Sequence, residues 1–205
     1  TELKGSVGTW GGSESGSPIN NKGEEKMIRV KLEDNVREYA NKQVTIKNFG
    51  NRSVGFNGNK EKQYTGILGE CVVHQALDKE LPTYDSGSLI EDLTINNTTV
   101  DVKTMARNVD MQDNYVHNFV GYQKDSPCDV LLFNSINKKT RTAEICGWLP
   151  KSEFLKKADF FDKGSTRTRF DGTSFVTKAP LYEIKQEKLN QFNSIEDLKK
   201  INITS

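Results

Sequence analysis

The sequence lacks the features that mark membrane proteins and disulfide-rich proteins. The 205-residue chain has no apolar run near the roughly 18–20 residues that a membrane span needs, and no signal-peptide pattern opens it. Its three cysteines, Cys71, Cys128 and Cys146, are widely spaced and form no CxxC pair, which excludes a disulfide scaffold. We therefore expect no membrane partner and a reducing, intracellular location.

An excess of charge of one sign is also missing. The 29 Lys+Arg and 28 Asp+Glu residues leave a net charge of +1. This balance excludes a histone-like polycation but leaves open a protein that contacts nucleic acid through one local basic face. The 34% of hydrophobic residues suffices for the core of a single domain of this length.

The start of the chain differs in composition from the rest. Residues 1–26 are rich in glycine and serine and have almost no aliphatic periodicity. Such a segment cannot bury enough apolar surface to offset the entropy lost on ordering. We interpret residues 1–26 as a flexible N-terminal arm, tag or linker and residues 27–205 as one folded domain.

Two segments have apolar residues at helical spacing. The first runs from Asp34 to about Val44, and the second covers Tyr64–Leu77. The second is apolar enough to be buried, yet it contains an acid, Glu70. Gly66 and Gly69 on this helix predict a close approach of a neighbouring backbone.

The period then changes from 3.6 to 2. Leu89–Ile95 and Thr99–Met105 flank Asn96-Asn97, a pattern typical of a β-hairpin. Further strands are predicted at 115–120, 129–134, 143–149 and 174–178, with a short helix from 151, a polar loop up to 172 and helical turns near the C-terminus. The sequence therefore predicts an α/β fold with a central mixed sheet flanked by helices.

The second strand of this hairpin carries a charged pair. Alternate residues of a strand share a face, so Asp101 and Lys103 point one way while Val100 and Val102 point into the core. An acid and an amine on a strand otherwise built of valine are costly unless they have a task. The alternative is a solvent-facing, salt-bridged strand, since such pairs are common on exposed strands.

Two further acids are predicted to lie beside this strand. The preceding strand brings Asp92 alongside it, and a helix packed on the sheet brings Glu70 to the same edge. Glu91 and Asp85 are rivals for the role of Asp92. If Leu93 faces inward, Asp92 points to the opposite face, whereas Glu91 shares the face of Leu93, and this parity favours Asp92.

Three converging carboxylates repel one another and need a cation. Oxygen-only ligands with an open side suit Mg²⁺ or Mn²⁺. Such a metal polarises a phosphoryl oxygen and lowers the pKa of a bound water. Lys103 would orient the attacking water or stabilise charge that develops on the phosphoryl group. Together these residues predict metal-assisted hydrolysis of a phosphodiester.

The same residues carry a resemblance to a known family. Glu70 in the segment Gly66–Glu70, Asp92 on a strand, and the Asp101–Thr104 segment resemble the PD-(D/E)xK phosphodiesterase superfamily, above all small phage-encoded nuclease-like proteins. The resemblance runs from about Val36 to Lys185. It implies a restriction-endonuclease-like core and a magnesium- or manganese-dependent deoxyribonuclease, an endonuclease, in the host-cell cytoplasm if the protein is phage-encoded.

The resemblance also implies roles for individual residues. The implied metal ligands are Glu70, Asp92, Asp101 and Val102. The implied catalytic residues are Glu70, Asp92, Asp101, Lys103 and Gln123, the last at a position where some members place a glutamine. Glu91 rather than proline precedes Asp92, so the literal "PD" is missing.

DNA is the expected partner. A basic loop carries Lys163, Arg167 and Arg169 among phenylalanines, a mixture suited to gripping phosphates and stacking bases. The alternative is a solvated loop whose phenylalanines anchor it to the core. Arg107, just after the charged strand, is a more local candidate for phosphate contact.

Other functional classes and assemblies stay open at this level. A homodimer is natural for an enzyme that cuts both strands of a duplex. One alternative function is a catalytically inactive DNA-binding module of the same fold. Another is a structural protein in which the acidic cluster is an ion-pair network.

Overall fold

The computed structural model describes residues 27–47, 59–84, 92–169 and 172–203. The predicted arm at 1–26, as well as Asp85 and Glu91, therefore lie outside the described residues. The helices are α1 (Asp34–Ile46), α2 (Lys60–Ala76), α3 (Lys151–Lys157) and α4 (Ile195–Lys199). The strands are β1 (Ile28–Lys31), β2 (Leu93–Ile95), β3 (Thr98–Arg107), β4 (Val116–Val120), β5 (Val130–Asn137), β6 (Thr142–Pro150), β7 (Asp159–Phe161), β8 (Thr166–Thr168), β9 (Ser174–Val176) and β10 (Leu181–Lys185).

A five-stranded sheet in the order β1-β6-β5-β3-β2 forms the centre of the described structure. The β3–β5 pair is parallel and the other neighbouring pairs are antiparallel, so the sheet is mixed. Helices pack on it, and the predicted α/β architecture is confirmed at this level. Within the described ranges, none of the helices has the length and apolar character needed to cross a membrane.

Helices α1 and α2 cover one face of the sheet with aliphatic side chains. In α1, Val36, Ala40 and Val44 recur every four residues and are all buried. They belong to one cluster with Val100 and Val102 from β3. The apolar residues at helical spacing in α1 and those at alternating positions in β3 therefore pack in one core.

Aromatic residues fill the opposite face of the sheet. There α3 and a second sheet, in the order β4-β10-β7, pack on the central strands. The ring of Phe154 lies 5.4 Å from that of Phe119 and 5.5 Å from that of Phe133, and all three side chains are fully buried. The central sheet is thus covered on both sides, and residues 98–105 of β3 are buried or partly buried on either face.

The sequence-based prediction of a polar loop up to residue 172 is wrong in part. Strands β7 and β8 lie inside that segment, and β8 pairs with β9. Strand β10 was not predicted either. These strands have three to five residues, and β10 does not alternate strictly between buried and exposed positions. A period of two cannot be recognised over so few residues.

Candidate active site

A tight hairpin places Asp92 beside β3. Asn96 and Asn97 have φ angles of 48° and 62°, the left-handed region that a two-residue turn joining twisted strands requires. Beyond the last pair of the hairpin, the Asp92 N–H donates to the Val100 carbonyl at 3.1 Å. The Val102 N–H donates to Asp92 Oδ2 at 2.6 Å. The Asp92 carboxylate therefore takes the place of a β2 backbone group at the end of the shorter strand.

The predicted parity of β3 is confirmed. Val100 and Val102 are buried in the aliphatic core, and Asp101 and Lys103 lie on the opposite face. Lys103 Nζ lies 2.5 Å from Asp101 Oδ1, and the two side chains are only 17% and 13% exposed. The pair is thus an ion pair, as the alternative interpretation required, but it is largely shielded and not solvent-facing.

Helix α2 packs closely against β3 at one glycine, Gly69. A Cβ atom added to Gly69 would lie 1.7 Å from Thr104 Oγ1, and the Asn134 side chain donates to the Gly69 carbonyl at 3.0 Å. The close approach predicted for Gly69 is present, but its neighbour is the Thr104 side chain and not the predicted backbone. At Gly66, the described part of the chain places no atom from outside the local helix within 4 Å of the corresponding Cβ position, so the prediction is wrong there. The contact at Gly69 fixes the next residue, Glu70, at the edge of β3.

A tyrosine that sequence reasoning missed holds Glu70. The Tyr84 hydroxyl donates to Glu70 Oε2 at 2.6 Å, and Tyr84 is 6% exposed. Burial, followed by the charge of Glu70, raises the pKa of Tyr84 far above its ordinary value, so the hydroxyl keeps its proton. Tyr84 belongs to no motif, and its Pro-Thr-Tyr context gives no sequence signal for this contact.

Electrostatics connect the predicted site residues. Burial, then the charges of Glu70 and Asp101, raise the pKa of Asp92 well above its ordinary value. Lys103 and the Val102 N–H lower it, but they do not offset the increase. The structure therefore brings the three carboxylates and the lysine into electrostatic reach of one another, with acid in excess.

This excess of acid fits a divalent cation in charge and in donor type. Carboxylate oxygens are the ligands that Mg²⁺ and Mn²⁺ prefer. Because the N–H and C=O of a strand residue point to the same edge, the Val102 carbonyl faces the edge occupied by Asp92. Among the described residues, no group of three or more His, Cys, Asp or Glu side chains is arranged to hold a metal ion.

One thiol lies next to this cluster. Cys128 is half-buried, and burial followed by the charge of Asp101 raises its pKa to about 11. Lys151 and Lys103 lower it, and Asp92 raises it further. At neutral pH the Cys128 thiol is therefore protonated and adds no charge to the cluster.

Among the described contacts, neither Gln123 nor Arg107 forms a hydrogen bond with the three acids. Gln123 ends a short 3-10 helix after β4, and in the described part of the chain its side chain makes no hydrogen bond to the three acids. Arg107 follows Lys103 by four residues on β3, which corresponds to about 13 Å along a strand. Its Nη2 donates to the Val116 carbonyl at 2.6 Å, and burial lowers its pKa. Arg107 is thus tied to β4.

The three basic loop residues have different surroundings. Arg167 Nη2 lies 2.5 Å from Oε2 of Glu183, a side chain that is only 6% exposed. The Arg169 guanidinium lies 5.0 Å from the centre of the Phe175 ring and is exposed, as is Lys163. Arg167 therefore has a structural partner, whereas Arg169 and Lys163 face solvent.

A second buried acid lies at the other end of the sheet. Glu144 accepts from the Met111 N–H at 2.7 Å, and Arg29 Nη2 lies 3.4 Å from its other oxygen. Burial raises the pKa of Glu144, while Met111, Arg29 and Arg107 lower it. Sequence reasoning missed this residue because a single acid on an alternating strand is typical of a solvent-facing position.

Comparisons of the chain with protein-family models, with curated proteins and with solved structures give no match. The site is therefore interpreted from its own geometry.

Proposed function

We propose that the protein is a divalent-metal-dependent DNA nuclease, an endonuclease with a restriction-endonuclease-like core. The observation that carries the proposal is the Asp92 carboxyl group, which is desolvated between Glu70 and Asp101. Lys103 lies on the same strand as Asp101, beside these acids. An excess of buried negative charge next to a lysine is the arrangement that metal-assisted phosphodiester hydrolysis uses.

Each residue of the cluster has a chemical role in this proposal. Glu70, Asp92, Asp101 and the Val102 carbonyl would hold Mg²⁺ or Mn²⁺. The metal would supply an activated water and a polarised phosphoryl oxygen. Lys103 would stabilise the charge that develops on the phosphoryl group during in-line attack.

The DNA partner is supported by exposed cations outside the cluster. The side chains of Lys163 and Arg169 are exposed to solvent, where phosphates can reach them. Arg107 and Gln123 stay candidates for a contact near the cleaved bond, although their described contacts are structural. We further propose that the protein acts inside the cell, and as a homodimer where both strands of a duplex are cut.

The test is cleavage of a DNA panel comprising linear and supercoiled duplex, single strand, flap and four-way junction, with Mg²⁺ or Mn²⁺. Lys103→Ala should lower the cleavage rate by about 10²–10³-fold, the cost of removing one transition-state stabiliser. Lys185→Ala is the matched control, since Lys185 is an exposed cation that pairs with Glu187 at 3.4 Å in the described structure. Cleavage that survives in Lys103→Ala would contradict the proposal.

A second candidate function rests on the partners that the cluster already has. Tyr84 donates to Glu70, the Val102 N–H donates to Asp92, and Lys103 pairs with Asp101. This arrangement favours a DNA-binding module of the same fold without turnover. In that case the protein binds DNA, cleaves no member of the panel, and shows no rise in Tm on addition of Mn²⁺.

A further inference from the structure

A row of aromatic rings runs from Lys103 to the protein surface. Phe119 of β4, Tyr182 of β10 and Phe160 of β7 lie directly opposite one another in the second sheet and therefore share a face. The ring centres of Phe119 and Tyr182 are 6.2 Å apart, and those of Tyr182 and Phe160 are 4.8 Å apart. At the inner end of the row, Lys103 Nζ lies 5.6 Å from the centre of the Phe119 ring. The row thus links the lysine beside Asp101 with β7.

The exposure of the rings increases along this row. Phe119 is 1% exposed and Tyr182 is half-buried, whereas Phe160 is 49% exposed. Helix α3 flanks the row on the same face, with the Phe154 ring 6.1 Å from that of Tyr182. A single exposed apolar residue is common on protein surfaces and needs no explanation. Phe160 differs because the rings behind it are continuous with the cluster of the proposed active site.

Charged residues lie on both sides of Phe160 along the chain. Lys156, in the last turn of α3, precedes it by four residues, Lys163 follows it by three, and both are exposed. The exposed acids Asp159 and Asp162 offset much of this positive charge. Attraction to phosphates is therefore weak around this ring, and a nucleic acid bound here takes most of its binding energy from stacking of a base on the ring.

Stacking on an exposed ring requires a base whose face is open. Inside a duplex each base is covered by its neighbours, and freeing it costs energy, whereas the bases of a single strand are accessible. Each step of the row from Phe160 to Lys103 spans 4.8–6.2 Å. Because a DNA strand advances about 3.4 Å per nucleotide, a base on Phe160 and a phosphodiester at Lys103 belong to one strand, a few nucleotides apart.

We propose that Phe160, with Tyr182 behind it, is a stacking platform for an unpaired base of single-stranded DNA whose strand continues towards Lys103. The proposal rests on the DNA partner of the proposed function. It applies equally to the nuclease and to the DNA-binding module, since stacking on this ring involves no metal ion. It narrows the substrate class to DNA with an unpaired segment, such as a single strand or a flap.

The experiment measures fluorescence anisotropy of labelled oligonucleotides with the full chain in EDTA, which prevents metal-dependent cleavage. Phe160→Ala should weaken binding of single-stranded DNA about tenfold, the cost of losing one stacked base, and binding of a duplex of the same length less than about twofold. Phe160→Trp keeps a ring and should bind as the wild type does. Val176→Ala is the control, because it removes a 57% exposed apolar side chain of β9 outside the row, and both affinities should stay within about twofold.

Three outcomes overturn the platform. The first is unchanged affinity of Phe160→Ala for single-stranded DNA, or an equal loss for single strand and duplex. The second is tighter binding of single-stranded RNA than of DNA, which contradicts the assignment to DNA. The third is a wild-type dimer in sedimentation that dissociates in Phe160→Ala while DNA affinity is unchanged, which assigns the ring to a contact between copies.

The outcomes also separate this inference from the proposed function. Metal-dependent cleavage of duplex DNA by a wild type that does not bind single strands overturns the platform alone. Absence of both DNA binding and cleavage overturns the proposed function as well. Should thermal unfolding show that Phe160→Ala is not folded, Phe160→Leu replaces it, since leucine keeps an apolar side chain without a ring, and the same loss is expected.

Discussion

Asp92 and Glu144 are two desolvated acids of one sheet, and they differ in the charges of the groups that surround them. Burial raises the pKa of both carboxyl groups. Around Glu144 the Met111 N–H, which donates a direct hydrogen bond, and the charges of Arg29 and Arg107 lower the pKa, while Asp110 raises it. Around Asp92 the neighbours are mainly other acids, with Lys103 as the compensating cation.

The difference separates two kinds of buried acid by the charges around them. A buried charge that is paired and hydrogen-bonded needs nothing from outside the chain. A buried charge surrounded by like charges is costly to the folded state unless a further cation joins it. Glu144 is of the first kind and Asp92 of the second, although sequence reasoning found only Asp92.

The largest effect is expected from a substitution that moves Glu70 away from Asp92 by a steric clash. Gly69→Ala would place a Cβ 1.7 Å from Thr104 Oγ1 and force α2 away from β3, carrying Glu70 with it. We expect a loss of about 2–3 kcal/mol in the free energy of unfolding, measured by urea denaturation. Gly66→Ala in the same helix meets no described neighbour outside the local helix and should stabilise by about 1 kcal/mol. Equal effects of the two substitutions would contradict this account of the helix contact.

Neutralising Glu144 and Asp92 in turn tests directly how the charges around each acid affect stability. Glu144→Gln leaves the arginines without their buried partner and should destabilise by about 2 kcal/mol. Asp92→Asn relieves repulsion from Glu70 and Asp101 and should stabilise the metal-free protein by about 1 kcal/mol. Both changes in the free energy of unfolding would be measured by urea denaturation in EDTA. The comparison fails if the two substitutions change stability in the same direction.

The smallest effect is the pH dependence of the Asp92 contribution. Because the folded-state pKa of Asp92 is raised, the folded protein binds this proton more tightly than the unfolded chain does. The contribution favours folding below the unfolded value near pH ~3.9 and is lost as the pH rises through the raised folded value, by at most about 1.4 kcal/mol per pH unit.

The measurement follows from that sign. The stability difference between Asp92→Asn and the wild type, both without metal, should grow as the pH rises from about 4 and then level off above the folded pKa. A difference that stays constant with pH would show that Asp92 titrates normally in the folded protein.

The sequence predicted those parts of the site in which apolar and polar residues recur at a regular spacing. The alternation of Val100, Asp101, Val102 and Lys103 assigned each side chain to its face, and the Asn96-Asn97 turn fixed the register that places Asp92. Contacts between distant segments carry no such period. Tyr84 and Glu144 were missed for that reason, and the position of Gln123 depends on a 3-10 turn that no motif marks.

The pairing of the edge strand has a consequence for how the molecule assembles. The β2–β3 hairpin closes over a two-residue turn, so it can form on the microsecond scale from local contacts. In contrast, the edge strand β1 pairs Ile28 with Ile145, and this pairing cannot form until β6 has been synthesised. Because non-local pairing is slow, the hairpin that carries Asp101 and has Asp92 just before its first strand forms early during translation, and β1 pairs later.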